Sequence, residues 1–184
     1  MLTAVGLSGS PCTPSRTRLI VKAALDRIAE QAGAQARLID VAGLVPDLGV
    51  ASRAEASPRV EEALRAIESA DLLIVGSPVY KGSYTGLLKH LIDLINYPAL
   101  LGTPVGLLAC GGSDRHALVI EHQMRPLFGF FGAKTLATGV FMTDKAIRDG
   151  CVEDASVAAR LDQLIAEAVH ELDLARARKA SASG

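Results

Sequence analysis

Residues 2–17 read LTAVGLSGSPCTPSRT, and this stretch decides the fold. Its first part, residues 2–7, is a short apolar run of the kind that forms a strand covered on both faces. The rest gathers the hydroxyls of Ser8, Ser10, Thr13, Ser15 and Thr17, together with Arg16, in a turn-forming segment. A helical period follows over residues 16–32, with Leu19, Ile20, Ala23, Ala24 and Ile28 on one face and Gly33 as the stop. Strand, polar loop and helix make the first unit of a parallel α/β sheet, where ligands gather beyond the carboxyl ends of the strands. Hydroxyls, backbone N–H groups and one arginine at a helix N-terminus suit an anion. A phosphate dianion suits them best, because such donors wrap all its oxygens.

Working outward, residues 35–40 read as a second strand and residues 42–57 as a polar, Gly- and Pro-containing surface excursion. Ser57 as N-cap with Pro58 at the first helical position opens a helix to about Ser69. Further strands are expected over 72–75, 105–109 and 134–140, and further helices over 84–95, 117–131 and 153–175. Five strands alternating with helices predict an α/β flavodoxin-like three-layer sandwich, its five-stranded parallel sheet in the order 2-1-3-4-5. The expected domain spans residues 1–175, with a disordered tail over 176–184. The sequence has no GxGxxG and no GxxxxGK[ST], and strand one does not end in a carboxylate. These absences weaken the dinucleotide-fold, P-loop and receiver readings.

Composition narrows the class. A chain of 184 residues with 49% hydrophobic and 21% charged residues is an ordinary globular domain. A net charge of −1 gives no reason to expect a nucleic-acid or anionic-membrane partner. Cys12, Cys110 and Cys151 are odd in number and form no CxxC pair, which favours a reducing, cytoplasmic setting over a disulfide framework or a metal site. No basic leader and no apolar run long enough to span a membrane is read from the sequence.

Two more loops end strands near the expected switch point. SPVYKGSYTG, residues 77–86, combines Pro78, which holds Ser77 extended, with Gly82, which lets backbone approach a flat ligand. CGGSDRH, residues 110–116, offers the N–H groups of Gly111 and Gly112. Those donors suit the pyrimidine end of a flavin, where negative charge builds on reduction.

The segments SGSP…PSRT, SPVYKGSYTGLLKHLIDL and GGSDRHALVIEHQMRPLF resemble the NAD(P)H-dependent FMN reductases of two-component alkanesulfonate monooxygenase systems, and most closely the methanesulfonate branch, over residues 2–142. The resemblance implies FMN as substrate or loosely held cofactor, NADH or NADPH as donor, a homotetramer and a partner flavin-dependent monooxygenase. By position it implies that Ser8, Ser10, Ser15, Arg16 and Thr17 hold phosphate. It likewise places Pro78, Val79, Tyr80, Lys81, Gly82 and Ser83 along the ring, and Gly111, Gly112 and Ser113 at its pyrimidine end. Cys12 stands where many members carry arginine.

Pro126 sits well inside the helix expected over 117–131 and leaves the carbonyl of His122 without its helical partner, so the ladder must kink or bulge. The resemblance implies a π-helix at this place, with His122 at its centre and a subunit interface on its apolar surround (Leu118, Ile120, Met124, Leu127, Phe128, Phe130, Phe131). Lys89, His90 and Asp93 are expected on a wet helix face. No catalytic side chain is assigned, because hydride transfer between cofactors is chemistry the cofactors carry. Three alternatives stay open: a flavin-retaining NAD(P)H:quinone, azo or chromate reductase, a flavodoxin-type electron carrier, and a non-catalytic FMN- or nucleotide-binding module. The carrier is disfavoured by the absence of Trp and only 4% aromatic residues.

Overall fold

The computed structural model describes residues 1–148 and 151–181. Leu72–Pro78 (β3) is buried over almost its whole length, as an unbroken LLIV run requires, and the sheet is arranged about it. It pairs with Thr3–Ser8 (β1) on one side and Pro104–Gly111 (β4) on the other, with Gln35–Asp40 (β2) outside β1 and Lys134–Thr143 (β5) outside β4. All neighbours are parallel and the order is β2-β1-β3-β4-β5, as the sequence implied. Ser8 pairs with Gly76, and Pro78 with Cys110, so three strand ends finish near one level.

Arg16–Ala32 (α1) and Ala155–Ser181 (α6) cover one face of the sheet. Pro58–Glu68 (α3), Gly86–Asp93 (α4) and Arg125–Phe130 (α5) cover the other. Helix α1 begins where Ser15 Oγ accepts the N–H of Arg18 (3.2 Å) and ends on Gly33 at φ 59°, the left-handed C-cap that glycine takes without strain. Its buried stripe is Ile20, Val21, Ala24, Leu25 and Ile28. Leu19, expected on that stripe, is 43% exposed, because the true face is rotated toward Val21 and Leu25. Helix α3 opens as expected, with Ser57 Oγ accepting the N–H of Val60 (3.3 Å) and Pro58 behind it.

Several expectations need correction. Residues 42–57 are not a plain surface excursion. Val41–Leu44 (α2) and the 3-10 turns Val45–Asp47 and Arg53–Glu55 bury Val41, Leu44 and Leu48, while Arg53 binds both Glu61 and Glu68. Strand β5 runs to Thr143, past the expected end at residue 140. The tail is helical through Ser181, docked by an Arg176 hydrogen bond to the Ala32 carbonyl and by Lys179 on Asp71 at 2.6 Å. Residues 182–184 lie outside the described residues. A short antiparallel pair, Ile147–Arg148 (β6) and Cys151–Val152 (β7), was not anticipated. His90 is half-buried instead of wet, with Nε2 buried and lacking a hydrogen-bond partner, while Lys89 and Asp93 pair at 2.5 Å. The helix expected over 117–131 is two pieces, the π-helical turn Ile120–Met124 and α5, and the 3-10 turn Asp114–His116 precedes it.

Candidate functional site

The three loops are stitched together by their own backbone and by one buried threonine. The Gly9 N–H donates to the Gly76 carbonyl (2.7 Å), tying the first loop to β3. The Val79 N–H donates to the Cys110 carbonyl (2.8 Å), tying the second loop to β4. Thr85 Oγ1 donates to the Gly9 carbonyl (2.6 Å) and accepts the Leu88 N–H (3.2 Å), so the cap of α4 also anchors the first loop. Ser77 Oγ donates to the Pro78 carbonyl (2.9 Å) and accepts the Thr85 N–H (3.2 Å). A Cβ on Gly9 would lie 2.6 Å from Leu88 Cδ2 and 3.1 Å from the Gly76 carbonyl oxygen, so the close approach at that point requires glycine.

These loops enclose a cleft of about 450 Å³, in the size range of small-molecule sites. Of the residues proposed from sequence, Ser10, Ser15, Arg16, Thr17, Pro78, Val79, Tyr80, Gly111 and Gly112 wall it. Ser8, Lys81, Gly82, Ser83 and Ser113 do not. Ser8 is fully buried at the end of β1, with Oγ lacking a hydrogen-bond partner. Lys81 (φ 53°) and Gly82 (φ 84°) are the two central residues of a tight turn closed by reciprocal Tyr80–Ser83 backbone bonds of 2.8 and 3.1 Å, which presents Tyr80 at 47% exposure. Ser113 caps the Asp114–His116 turn instead, accepting the Arg115 N–H at 3.3 Å.

Cys12, Pro14, Leu19, Cys110 and Asp144 also wall the cleft, beyond the residues proposed from sequence. Leu19 is there because of the rotation of α1. Asp144 is there because β5 continues to Thr143, level with Gly111. Cys12 is held by the Ser10 hydroxyl, which bonds both its carbonyl (3.2 Å) and its N–H (3.3 Å). Burial, then contact with the Cys12 thiol, pushes the Tyr80 phenol above its ordinary range, so it stays protonated and able to donate at neutral pH. Burial pushes the Cys110 thiol up to about 11, which keeps it uncharged.

The donor set fits the phosphate of FMN. Ser10, Ser15 and Thr17 supply hydroxyls, and the N–H groups of Arg16 and Thr17 belong to the helix end that has no intrahelical acceptors. Among the described residues of the cleft wall, Arg16 is the only cation and Asp144 the only carboxylate. The first turn of α1 contains no acidic residue to oppose an anion.

Beside the second loop lies the π-helical turn. Arg125 N–H bonds the Ile120 carbonyl five residues back, and Pro126, with no N–H, follows directly. His122 is at the centre of the turn and exposed. The turn is clamped from within: Arg125 Nε reaches Glu121 at 2.6 Å, and Arg125 Nη1 reaches the Leu136 carbonyl of β5 at 2.7 Å. That guanidinium holds the Glu121 carboxyl below its usual range. Gly139 of β5 makes room for the turn, since a Cβ there would lie 2.6 Å from Ile120 Cγ2. Ser83 Oγ to Gln123 Oε1 (3.3 Å) joins the turn to the second loop.

The chain is similar to known proteins over most of its length. Residues 2–148 match the family model described as NADPH-dependent FMN reductase. The chain is 48% identical over 161 residues to the NADH-dependent FMN reductase SfnF of Pseudomonas fluorescens (strain Pf0-1), covering 87% of this chain and 86% of that protein. Its structure is similar to that of an oxidoreductase from Corynebacterium diphtheriae, with a TM-score of 0.81 and 30% identity over 94% of this chain and 97% of the other. It is also similar to the apo form of the NADH:FMN oxidoreductase EmoB, with a TM-score of 0.77 and 30% identity over 92% and 89%.

Proposed function

The chain belongs to the NADPH-dependent FMN reductase family, and on that premise we propose how its cleft performs the family's reaction and what the product serves. It is an NAD(P)H-dependent FMN reductase, an oxidoreductase using FMN and a nicotinamide dinucleotide. The observation that carries the site assignment is the convergence of three strand-end loops on one cleft whose only cation, among its described wall residues, stands at a helix N-terminus.

In this reading the hydroxyls of Ser10, Ser15 and Thr17, the first N–H groups of α1 and the Arg16 guanidinium hold the phosphate. Pro78, Val79 and Tyr80 form the wall for the ring, and the N–H groups of Gly111 and Gly112 address its polar edge. The buried Ser8 and the residues Lys81, Gly82, Ser83 and Ser113 support this wall by shaping the loops. FMN, when bound, supplies the hydride-accepting chemistry. The chain binds, orients and keeps water from the ring, and the protonated Tyr80 donates at the cleft mouth.

We assign the reduced flavin to a partner flavin-dependent monooxygenase of sulfonate desulfonation. The resemblance of the three loop segments supports that partner, and so does the 48% identity to two Pseudomonas reductases, SfnF and SfnE. We assign a homotetramer built on the π-helical region, supported by Leu118 beside the exposed His122 and Phe130 in the following helix standing 62% and 69% exposed. A cytoplasmic location is supported by three free cysteines. Among the described residues, no helix is long and apolar enough to cross a membrane.

The test is oxidation of NADH and NADPH by purified protein, with and without added FMN. Rates that rise to saturation with FMN support flavin as a substrate, and rates indifferent to it overturn that reading. For the assembly, Pro126→Ala should change the sedimenting mass or the flavin dependence. Both unchanged would count against the interface.

A further inference from the structure

The first loop owes its single positive side chain in the cleft to Arg16, yet that side chain is already engaged. Arg16 Nη1 lies 3.2 Å from Asp144 Oδ1, and the two side chains are 56% and 52% exposed. Both wall the cleft. Arg18, one turn face away on α1, is no substitute, because its Nε is paired with Asp40 at 3.2 Å. Asp144 is delivered by register: Thr143, the last residue of β5, stands opposite Gly111 at the end of β4, and Asp144 follows it into the cleft.

We infer that Asp144 sets how weakly the phosphate end of FMN is held, and so makes the flavin exchangeable. The inference rests on the phosphate reading of residues 8–17. An ion pair as exposed as this contributes little to folding, so its weight falls on what enters the cleft. A phosphate that takes Arg16 must separate it from Asp144 or share it, and in either case a carboxylate remains beside a near-dianion. Like charges at contact range weaken binding, and no second cation among the described wall residues offsets the repulsion. The carboxylate therefore acts twice: it competes for the guanidinium before the ligand arrives, and it repels the phosphate afterward.

The experiment measures dissociation constants of FMN and of riboflavin, which lacks the phosphate, by flavin fluorescence quenching without any electron donor. The proteins are wild type, Asp144→Asn and Asp144→Ser, each checked for fold by circular dichroism. Asp144→Asn should tighten FMN by about fivefold, the upper range for one exposed charge contact. It should slow FMN release in stopped flow and leave riboflavin where it was. Asp144→Ser, which removes the charge through a different side chain, must move the FMN dissociation constant and release rate the same way and leave riboflavin unmoved. FMN affinity that is unchanged or weaker, or tightening shared equally by riboflavin, overturns the role of Asp144. FMN bound no better than riboflavin by wild type and by Asp144→Asn alike overturns the phosphate reading beneath it, a result distinct from the first.

Discussion

Gly76→Ala offers the sharpest measure of how the phosphate loop is supported. Gly76 lies in β3 directly under the start of α1, and a Cβ built there would stand 2.4 Å from Val21 Cγ2 and 3.1 Å from Thr17 Cγ2. Ordinary carbon contacts are about 3.5–4.0 Å, so more than an ångström must be found at Val21. Neither neighbour can give way cheaply. Val21 is 0% and Thr17 2% exposed, and both are β-branched side chains with restricted χ1. The helix must lift instead, at a cost of about 1–3 kcal/mol, which for a domain of this length lowers Tm by roughly 2–4 °C per kcal/mol. Because the lifted turn carries Ser15, Arg16 and Thr17, FMN binding should weaken together with stability. The assay is thermal and urea unfolding with FMN titration. Val21→Ala removes the opposing methyl, so the double variant should be more stable than the sum of the single variants by about 1 kcal/mol or more. Strict additivity, or a Gly76→Ala protein within about 0.5 kcal/mol of wild type, would refute the steric argument.

Three further outcomes follow from other contacts. Thr85→Val keeps the shape but removes both bonds of the 1% exposed hydroxyl, and should cost about 2 kcal/mol in urea unfolding; an unchanged midpoint would show that neither bond matters. Hydrogen bonding to Arg53, then Arg65, lowers the Glu61 carboxyl from its ordinary 4.5 to about 2, so its stabilisation is present above pH 4.5 and lost as pH falls toward 2. Glu61→Gln should therefore be less stable than wild type at neutral pH, with the gap closing over that acid window in urea midpoints; a gap that is the same at both ends would contradict the linkage. With a disulfide reagent at neutral pH, exposed Cys12 and Cys151 should react before buried Cys110, and FMN should protect Cys12; a Cys110 as fast as the others would show that the β4 end is open.

The sheet order was legible because the strands announce themselves. An unbroken LLIV bounded by Asp71 and Gly76 fits little else, and Ser57-Pro58 fixes the start of α3 by capping chemistry alone. Most of the cleft wall was legible for the same reason: the loops follow strand ends. What escaped depended on rotation and register. Leu19 belongs to a plausible helical stripe, and only packing against Gly76 turns the stripe toward Val21. Asp144 was out of reach because nothing local marks where β5 ends after Phe141 and Met142, and only backbone pairing with β4 carries the strand on to Thr143. In residues 42–57 the glycine and proline content concealed short turns whose apolar residues still reach the core. The π-helical turn was foreshadowed by Pro126, yet its seat depends on Gly139, a distant residue no local pattern connects to it.

The bonds from Gly9 to Gly76, Val79 to Cys110 and Thr85 to Gly9 have a thermodynamic consequence. A cleft assembled this way is finished before any ligand comes, so binding orders little backbone and forfeits little chain entropy. Calorimetry should then record a heat-capacity change set by the ring surface that is covered, with no added contribution from loop folding. Whatever makes the flavin leave must act within a rigid vessel, through the charges at its rim.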